Sequence, residues 1–376
     1  MKVTKESVIR VLHKIATPGI GTNLVESGAL KNVQVFGEEV DVDVTISTPA
    51  LHVKKKLEVD IMKLIHDDLF EKAVVNVKIT VNAPEKKPEI KGPEIPGVRN
   101  VIAVASGKGG VGKSTVTSNM AVALADMGFK VGLVDADIYG PSVPMMFDVE
   151  FAQPKSVEVN GRSLMEPIES YGVKVLSIGF FAGANQAVVW RGPMASKALN
   201  QLIKDAHWGD LDFLLIDLPP GTGDIHLSLV QAIPVTGAVI VSTPQNIALA
   251  DARKGAGMFK MDSINVPVLG IVENMSYFTP EELPGNKYYI FGKSGARNLA
   301  EDIGVPFLGE IPLVQSIRES GDVGRPAVLQ KESPAAEAFI NATRNMVEQL
   351  VERNEKLSPT QKVEITNMAG CSAVKQ

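Results

Sequence analysis

The chain has 376 residues, 45% hydrophobic and 22% charged, with a net charge of −5; this is the composition of a folded globular protein and carries no global field that would favour nucleic acid or an anionic membrane. No apolar run approaches the ~20 residues that span a bilayer, and the start Met1-Lys-Val-Thr-Lys-Glu6 has no signal-peptide core. The single cysteine, Cys371, excludes an internal disulfide framework and fits a reducing cytosol, so a cytoplasmic protein that binds neither membrane nor nucleic acid is expected.

Residues 1–83 read as a small α/β domain. Val8, Val11, Leu12 and Ile15 recur at helical spacing, as do Leu57, Ile61, Leu64 and Ile65. Val40, Val42, Val44 and Ile46 alternate with polar residues, and Val75, Val77, Ile79 and Val81 do the same, which predicts strands with one buried face. Lys54, Lys55 and Lys56 read as a solvated helix face. Residues 84–97 hold four prolines among mixed charges and predict an extended, semi-rigid linker. Residues 98–355 read as a large domain. Its apolar runs at 101–105, 130–135, 173–178, 213–218, 237–242, 267–273 and 307–311 have the continuous character of buried parallel strands. The segments between them suit crossover helices, so the fold class is α/β, a mostly parallel sheet covered by helices on both faces. An amphipathic helix from Ser333 to about Asn354 closes the domain, and residues 356–376 read as a flexible polar tail. The five histidines show no metal-ligand spacing.

The chemistry begins at the first strand of the large domain. After Val101–Ala105 come Gly107, Lys108, Gly109, Gly110, Val111, Gly112, Lys113, Ser114 and Thr115, which fit the phosphate-binding pattern G-x-x-x-x-G-K-[ST] between a strand and a helix. Glycine lets the backbone wrap a phosphate, and the helix N-terminus presents partial positive charge to it. Lys113 is expected to reach the β/γ-phosphates, with its side chain facing ligand rather than core, and Ser114 to ligate Mg²⁺. Lys108 lies on the outer side of the loop, where it can reach a facing subunit's nucleotide or, alternatively, stand as a solvated surface lysine. Asp135-Ala-Asp137 and Asp217 each close an apolar run, where ligands of such sheets gather. Asp217 is assigned to the Mg²⁺ hydration shell through water, and Asp137 to orienting the attacking water or, alternatively, to a turn or helix cap. Pro219-Pro-Gly-Thr-Gly223 reads as a switch segment or a stiff turn.

These stretches resemble a known family. Lys108–Thr115 is similar to the deviant Walker A signature of the MinD/ParA/nitrogenase-iron-protein class. Asp135–Ser142, Trp190–Met194, Asp217–Asp224, Thr243–Lys254 and Gly270–Phe278 closely resemble the Mrp/ApbC iron–sulfur cluster carrier ATPases. The N-terminal unit resembles the cluster-assembly domain often fused to them, chiefly through Ser47–Ala50. The resemblance implies an ATP- and Mg²⁺-dependent homodimer in which Lys108 contacts the partner's ATP. It also implies apoprotein clients or an assembly scaffold as partners, and Asn274 and Pro312 beside the adenine. A cluster as cargo is implied by the resemblance alone. The family's usual Cys-x-x-Cys after Tyr277-Phe278 is absent, Thr-Pro-Ala is followed by Leu51, and no cluster ligand is identifiable. Glu281, Glu282 and Asn286 offer oxygen and amide groups, poor substitutes for thiolates. Two alternatives follow: an ATP-gated scaffold without its own cluster, and a positioning ATPase, which lacks the basic terminal helix it would need.

Overall fold

A computed structural model describes the chain apart from residues 1–3, 19–21, 38, 47–50, 71, 82–94, 182–191, 224–225, 228–232, 263, 281, 284 and 358–376. Most of the expected linker, nearly all of the tail with Cys371, and Ser47, Trp190, Asp224 and Glu281 therefore lie outside the described residues. The chain divides into two compact units, Met1–Pro88 and Glu89–Gln376.

In the small unit, α1 (Lys5–Leu12) starts at a Thr4 cap that accepts from the Ser7 N–H. The sheet runs β1 (Leu30–Phe36), β2 (Glu39–Ile46), β3 (Val74–Val81), with β1 antiparallel to β2 and β2 parallel to β3. The parallel pair is bridged by α2 (Leu51–Asp68), the crossover that such a pair requires. Val40, Val42, Val44 and Ile46 are buried with Val8, Leu12, Leu57, Ile61 and Ile65. Strand β1 was not legible in the sequence, because Leu30-Lys-Asn-Val-Gln-Val-Phe36 alternates only in part.

The large unit is built on an eight-stranded sheet in the order β13-β12-β11-β4-β10-β5-β9-β8. Its central members are β4 (Val98–Ala105), β5 (Val131–Asp135), β10 (Leu211–Asp217) and β11 (Gly237–Ser242). The flanks are β9 (Val173–Ser177), β12 (Val268–Glu273) and β13 (Phe307–Glu310), all parallel. The edge strand β8 (Ile168–Ser170) is antiparallel, and a separate hairpin joins β6 (Lys155–Val159) to β7 (Arg162–Glu166). Each of the seven apolar runs is a strand. The three extra strands are polar and largely exposed, so no apolar run marked them.

Successive residues of β4 point to opposite faces. Val101, Ala103 and Ala105 join one core with α5 (Gly192–Lys204), α6 (Asn246–Lys260) and α7 (Gly295–Ile303). Ile102 and Val104 join the other with α3 (Lys113–Asp126), α4 (Val143–Met146), α8 (Gln315–Asp322) and α9 (Pro334–Lys356). The sheet is thus covered on both faces, as the uninterrupted apolar runs demand. Ser333 caps α9 through the Ala336 N–H, and Ala336, Phe339, Met346, Val347 and Leu350 form its buried stripe. Ile95, near the end of the expected linker, is buried in the first core.

Candidate functional site

Strand order brings the charged residues together. β10 lies between β4 and β5, so Asp217 pairs in register with Val104 on one side and Asp135 on the other. Both acidic strand ends therefore meet the loop that leaves β4. Two glycines of that loop are dictated by space. A Cβ on Gly107 would sit 2.1 Å from the Asp251 backbone of α6, and one on Gly112 would sit 2.2 Å from Asn274 Nδ2. Gly112 also adopts φ 78°, a left-handed conformation that favours glycine, and α3 begins without a side-chain cap. Its first N–H groups, orphaned within the helix, are those that an anion at a helix N-terminus satisfies.

Lys113 does not project into open space, and this corrects the expectation of a side chain that simply faces ligand. It is 6% exposed, with Nζ 2.8 Å from Asp217 Oδ2 and 4.0 Å from Asp137 Oδ2. Asp217 is fully buried. Its Oδ2 also accepts from Ser114 Oγ at 2.5 Å, and its Oδ1 accepts from Thr117 Oγ1 at 2.7 Å. A buried carboxylate with one cation and two hydroxyls is well compensated. Thr117 went unnoticed in the sequence, although it stands one turn after Lys113 on the same helical face.

Asp135 is also fully buried and accepts from the Asp137 N–H, the Val143 N–H and Ser177 Oγ, at 3.2, 3.2 and 3.0 Å. Burial, and then the neighbouring Asp217 charge, raise its pKa to about 7. Asp137 lies nearer solvent. Burial raises its pKa too, while Lys113 pulls the other way. Its Oδ1 accepts from the Tyr139 N–H at 3.1 Å, so the aspartate makes the turn contact and still presents Oδ2 towards Lys113. The paired carboxylates thus differ in kind: Asp135 braces the 135–143 turn from inside, and Asp137 is accessible.

Lys108 is exposed and makes no ion pair among the described residues; its own carbonyl is held by Ser106 Oγ at 3.0 Å. The segment after Asp217 is tied to the same place, since the Gly221 N–H donates to the Ser106 carbonyl at 2.9 Å. Asn274 is buried at the end of β12 and donates from Nδ2 to the Val111 carbonyl at 2.9 Å, so it braces the loop itself. Pro312 is buried just after β13, the neighbour of β12. Sequence reasoning missed Glu273, whose fully buried carboxylate accepts from Ser276 Oγ and from the Ala296 N–H at the start of α7, each at 2.6 Å. The only signal was a charge ending an apolar strand.

The loop after β12 is closed by backbone and aromatic contacts. Phe278 and Tyr288 exchange backbone hydrogen bonds of 2.8 Å, and the Leu313 N–H donates to the Tyr277 carbonyl at 2.7 Å. Lys287 Nζ lies 3.7 Å over the Tyr277 ring, and Lys293 Nζ 5.0 Å over that of Tyr289. The Tyr277 and Tyr289 rings meet edge-on at 6.4 Å. Phe278, Leu283, Tyr288 and Ile290 are exposed. Among the described residues no three His, Cys, Asp or Glu side chains are grouped to hold a metal ion.

Comparison with known proteins agrees with this geometry. Residues 97–347 match the family described as ParA, NUBPL iron-transfer P-loop NTPase, and residues 5–86 match the iron–sulfur cluster assembly protein family. The iron–sulfur cluster carrier protein of Deinococcus radiodurans is 43% identical over 357 residues, covering 95% of this chain and 98% of that one. The iron–sulfur cluster transfer protein NUBPL of Mus musculus is 47% identical over 270 residues, covering 71% and 81%. Among solved structures, a nucleotide-binding protein from Archaeoglobus fulgidus in complex with ADP has a TM-score of 0.56 and 38% identity, covering 66% of this chain and 94% of that one.

Proposed function

This chain belongs to the NUBPL iron-transfer P-loop NTPase family, and from that premise we propose that it binds and hydrolyses ATP with Mg²⁺ as a homodimer acting in iron–sulfur cluster assembly. The observation that carries the reading is the convergence of Lys113, Ser114 and Asp217 beneath a glycine loop. Lys113 now neutralises Asp217. A triphosphate in the loop offers the ammonium a stronger anionic partner, and the exchange frees Asp217 and Ser114 Oγ for a hydrated cation. Mg²⁺, when bound there, neutralises charge on the β- and γ-phosphate oxygens. Asp137, accessible beside Lys113, orients the attacking water, and Lys108, exposed and without an ion pair among the described residues, serves the facing subunit's nucleotide. Asn274 and Pro312, at the ends of adjacent strands, flank the base.

The relatives named as cluster carriers and transfer proteins support apoprotein clients or an assembly scaffold as partners. The single cysteine and the bacterial relatives support a cytoplasmic setting. For the cluster as cargo, the donor set is incomplete. A cluster takes about four thiolates, and two copies of this sequence bring one cysteine each. The ATP-gated scaffold therefore gains weight as a second reading, with cluster ligands supplied by a partner protein.

The test has two arms. Phosphate release from ATP with Mg²⁺, abolished by chelation, is expected; no nucleotide binding would overturn the ATPase reading. Anaerobic reconstitution with iron and sulfide is expected to leave far fewer than about four irons per dimer after desalting. Four retained irons, unaffected by Cys371→Ser, would refute the incomplete donor set.

A further inference from the structure

His226 is not explained by anything so far. It follows Asp217 by nine residues, on the segment tied to the phosphate loop through Gly221. Its side chain is 1% exposed, and neither ring nitrogen has a hydrogen-bond partner among the described residues. A neutral imidazole carries one donor and one acceptor, and a buried polar group without a partner is unfavourable. An apolar side chain of similar size would fill this space with no such penalty.

The surroundings indicate what the ring is for. Its pKa is lowered to about 4 by burial, and the charge of Lys113 pushes in the same direction. The ring is thus neutral at physiological pH. The backbone of Gly223 and Pro219 lies close enough to pull the other way, although neither contact has the geometry of a regular hydrogen bond. A donor therefore stands beside two ends of the Pro219–Gly223 turn without engaging them, while the His226 N–H itself donates to the Gly223 carbonyl at 3.1 Å. The middle of this turn is exposed beside the phosphate loop, with Gly109 near the Pro220 ring.

We propose that His226 is the latch of the Pro219–Gly223 turn: its ring N–H closes onto a carbonyl of the turn when the turn moves against the γ-phosphate. The inference rests on the ATP reading above. It makes His226 a positioning residue, acting through the turn and not on the nucleotide. A small rearrangement then satisfies a buried donor, so the free energy of pairing is realised in the triphosphate state and not in the diphosphate state.

His226→Phe keeps the ring volume and removes both nitrogens; His226→Asn retains a short donor. With His226→Phe, ADP affinity is expected to stay near wild type and the melting temperature to hold or rise, because a buried unpaired group is removed, while kcat falls about tenfold and KM changes little, the size of one lost hydrogen bond. His226→Asn is expected to recover part of kcat. A wild-type kcat in His226→Phe, or equal losses of ADP affinity and kcat, would overturn the latch. Should the variants fail to fold, the imidazole ¹⁵N and N–H resonances of His226 in the native protein decide. They are expected to shift with a non-hydrolysable ATP analogue and not with ADP; identical spectra with both would refute the proposal. Absence of nucleotide binding by the wild-type protein would instead refute the underlying ATPase reading.

Discussion

Two loops leave the carboxyl ends of the same sheet and are held by opposite means. The phosphate loop after β4 is fixed by contacts that tolerate no side chain, Gly107 against α6 and Gly112 against Asn274, and by a buried charge cluster beneath it. The loop after β12 is held by the Phe278–Tyr288 backbone pair, by a bond from the Leu313 N–H to the Tyr277 carbonyl, and by lysines over tyrosine rings near the surface. The first stores strong, directional interactions that a ligand can exchange. The second keeps its shape with weak, replaceable contacts and offers an apolar rim of Phe278, Tyr288 and Ile290. Buried charge is costly to leave unpaired, whereas an exposed cation–π contact is cheap to lose.

Substitutions sharpen this contrast. The largest effect is expected for Lys113→Ala, which should lower nucleotide affinity about 100-fold or more in calorimetry. It should also destabilise the fold by about 3 kcal/mol, because fully buried Asp217 loses its cation. An unchanged denaturation midpoint would contradict the pairing described here. Lys108→Ala comes next. The exposed lysine supports no buried group, so stability should hold, while hydrolysis is expected to fall on the order of a thousandfold. In a mixture with Asp137→Asn subunits, the site of the Lys108→Ala subunit keeps its own Asp137 and receives Lys108 from its partner, so activity should be partly restored; no recovery would place Lys108 on its own nucleotide.

A third test concerns pH. The folded pKa of Asp135, about 7, lies above its ordinary value of 3.8. Its favourable contribution is complete below the ordinary value and is lost as pH rises through about 7. The melting-temperature difference between Asp135→Asn and wild type should therefore shift in favour of the variant between pH 5 and pH 8, in steps of about one pH unit. A constant difference would show that Asp135 does not take up a proton in this range. The smallest effect is expected in the aromatic loop, where Lys287→Ala should cost about 0.5–1 kcal/mol by denaturant titration, with nucleotide affinity intact.

The same contrast explains what could be read in advance. The strands carrying the phosphate loop, Asp135 and Asp217 are buried on both faces, so their apolar runs stand out, and the loop's residues are dictated by local chemistry. β1, β8 and the β6–β7 hairpin are half-exposed or polar, and their pairing depends on neighbours distant in the chain. Thr117, Glu273 and His226 escaped notice for a related reason. Each is an ordinary residue in an ordinary segment until burial removes water and forces the question of its partner.

By itself, the sequence determined a phosphate loop between strand and helix, a mostly parallel sheet, acidic strand ends and a shortage of thiolates, because glycine spacing, apolar runs and cysteine number are local properties. Only the tertiary structure decided that Lys113 is buried against Asp217, that Asp135 and Asp137 sit in different surroundings, that Asn274 braces the loop, and that the His226 ring nitrogens find no partner among the described residues. Those outcomes depend on strand order, which places β10 between β4 and β5 and so sets the distances and desolvation from which charge interactions take their strength.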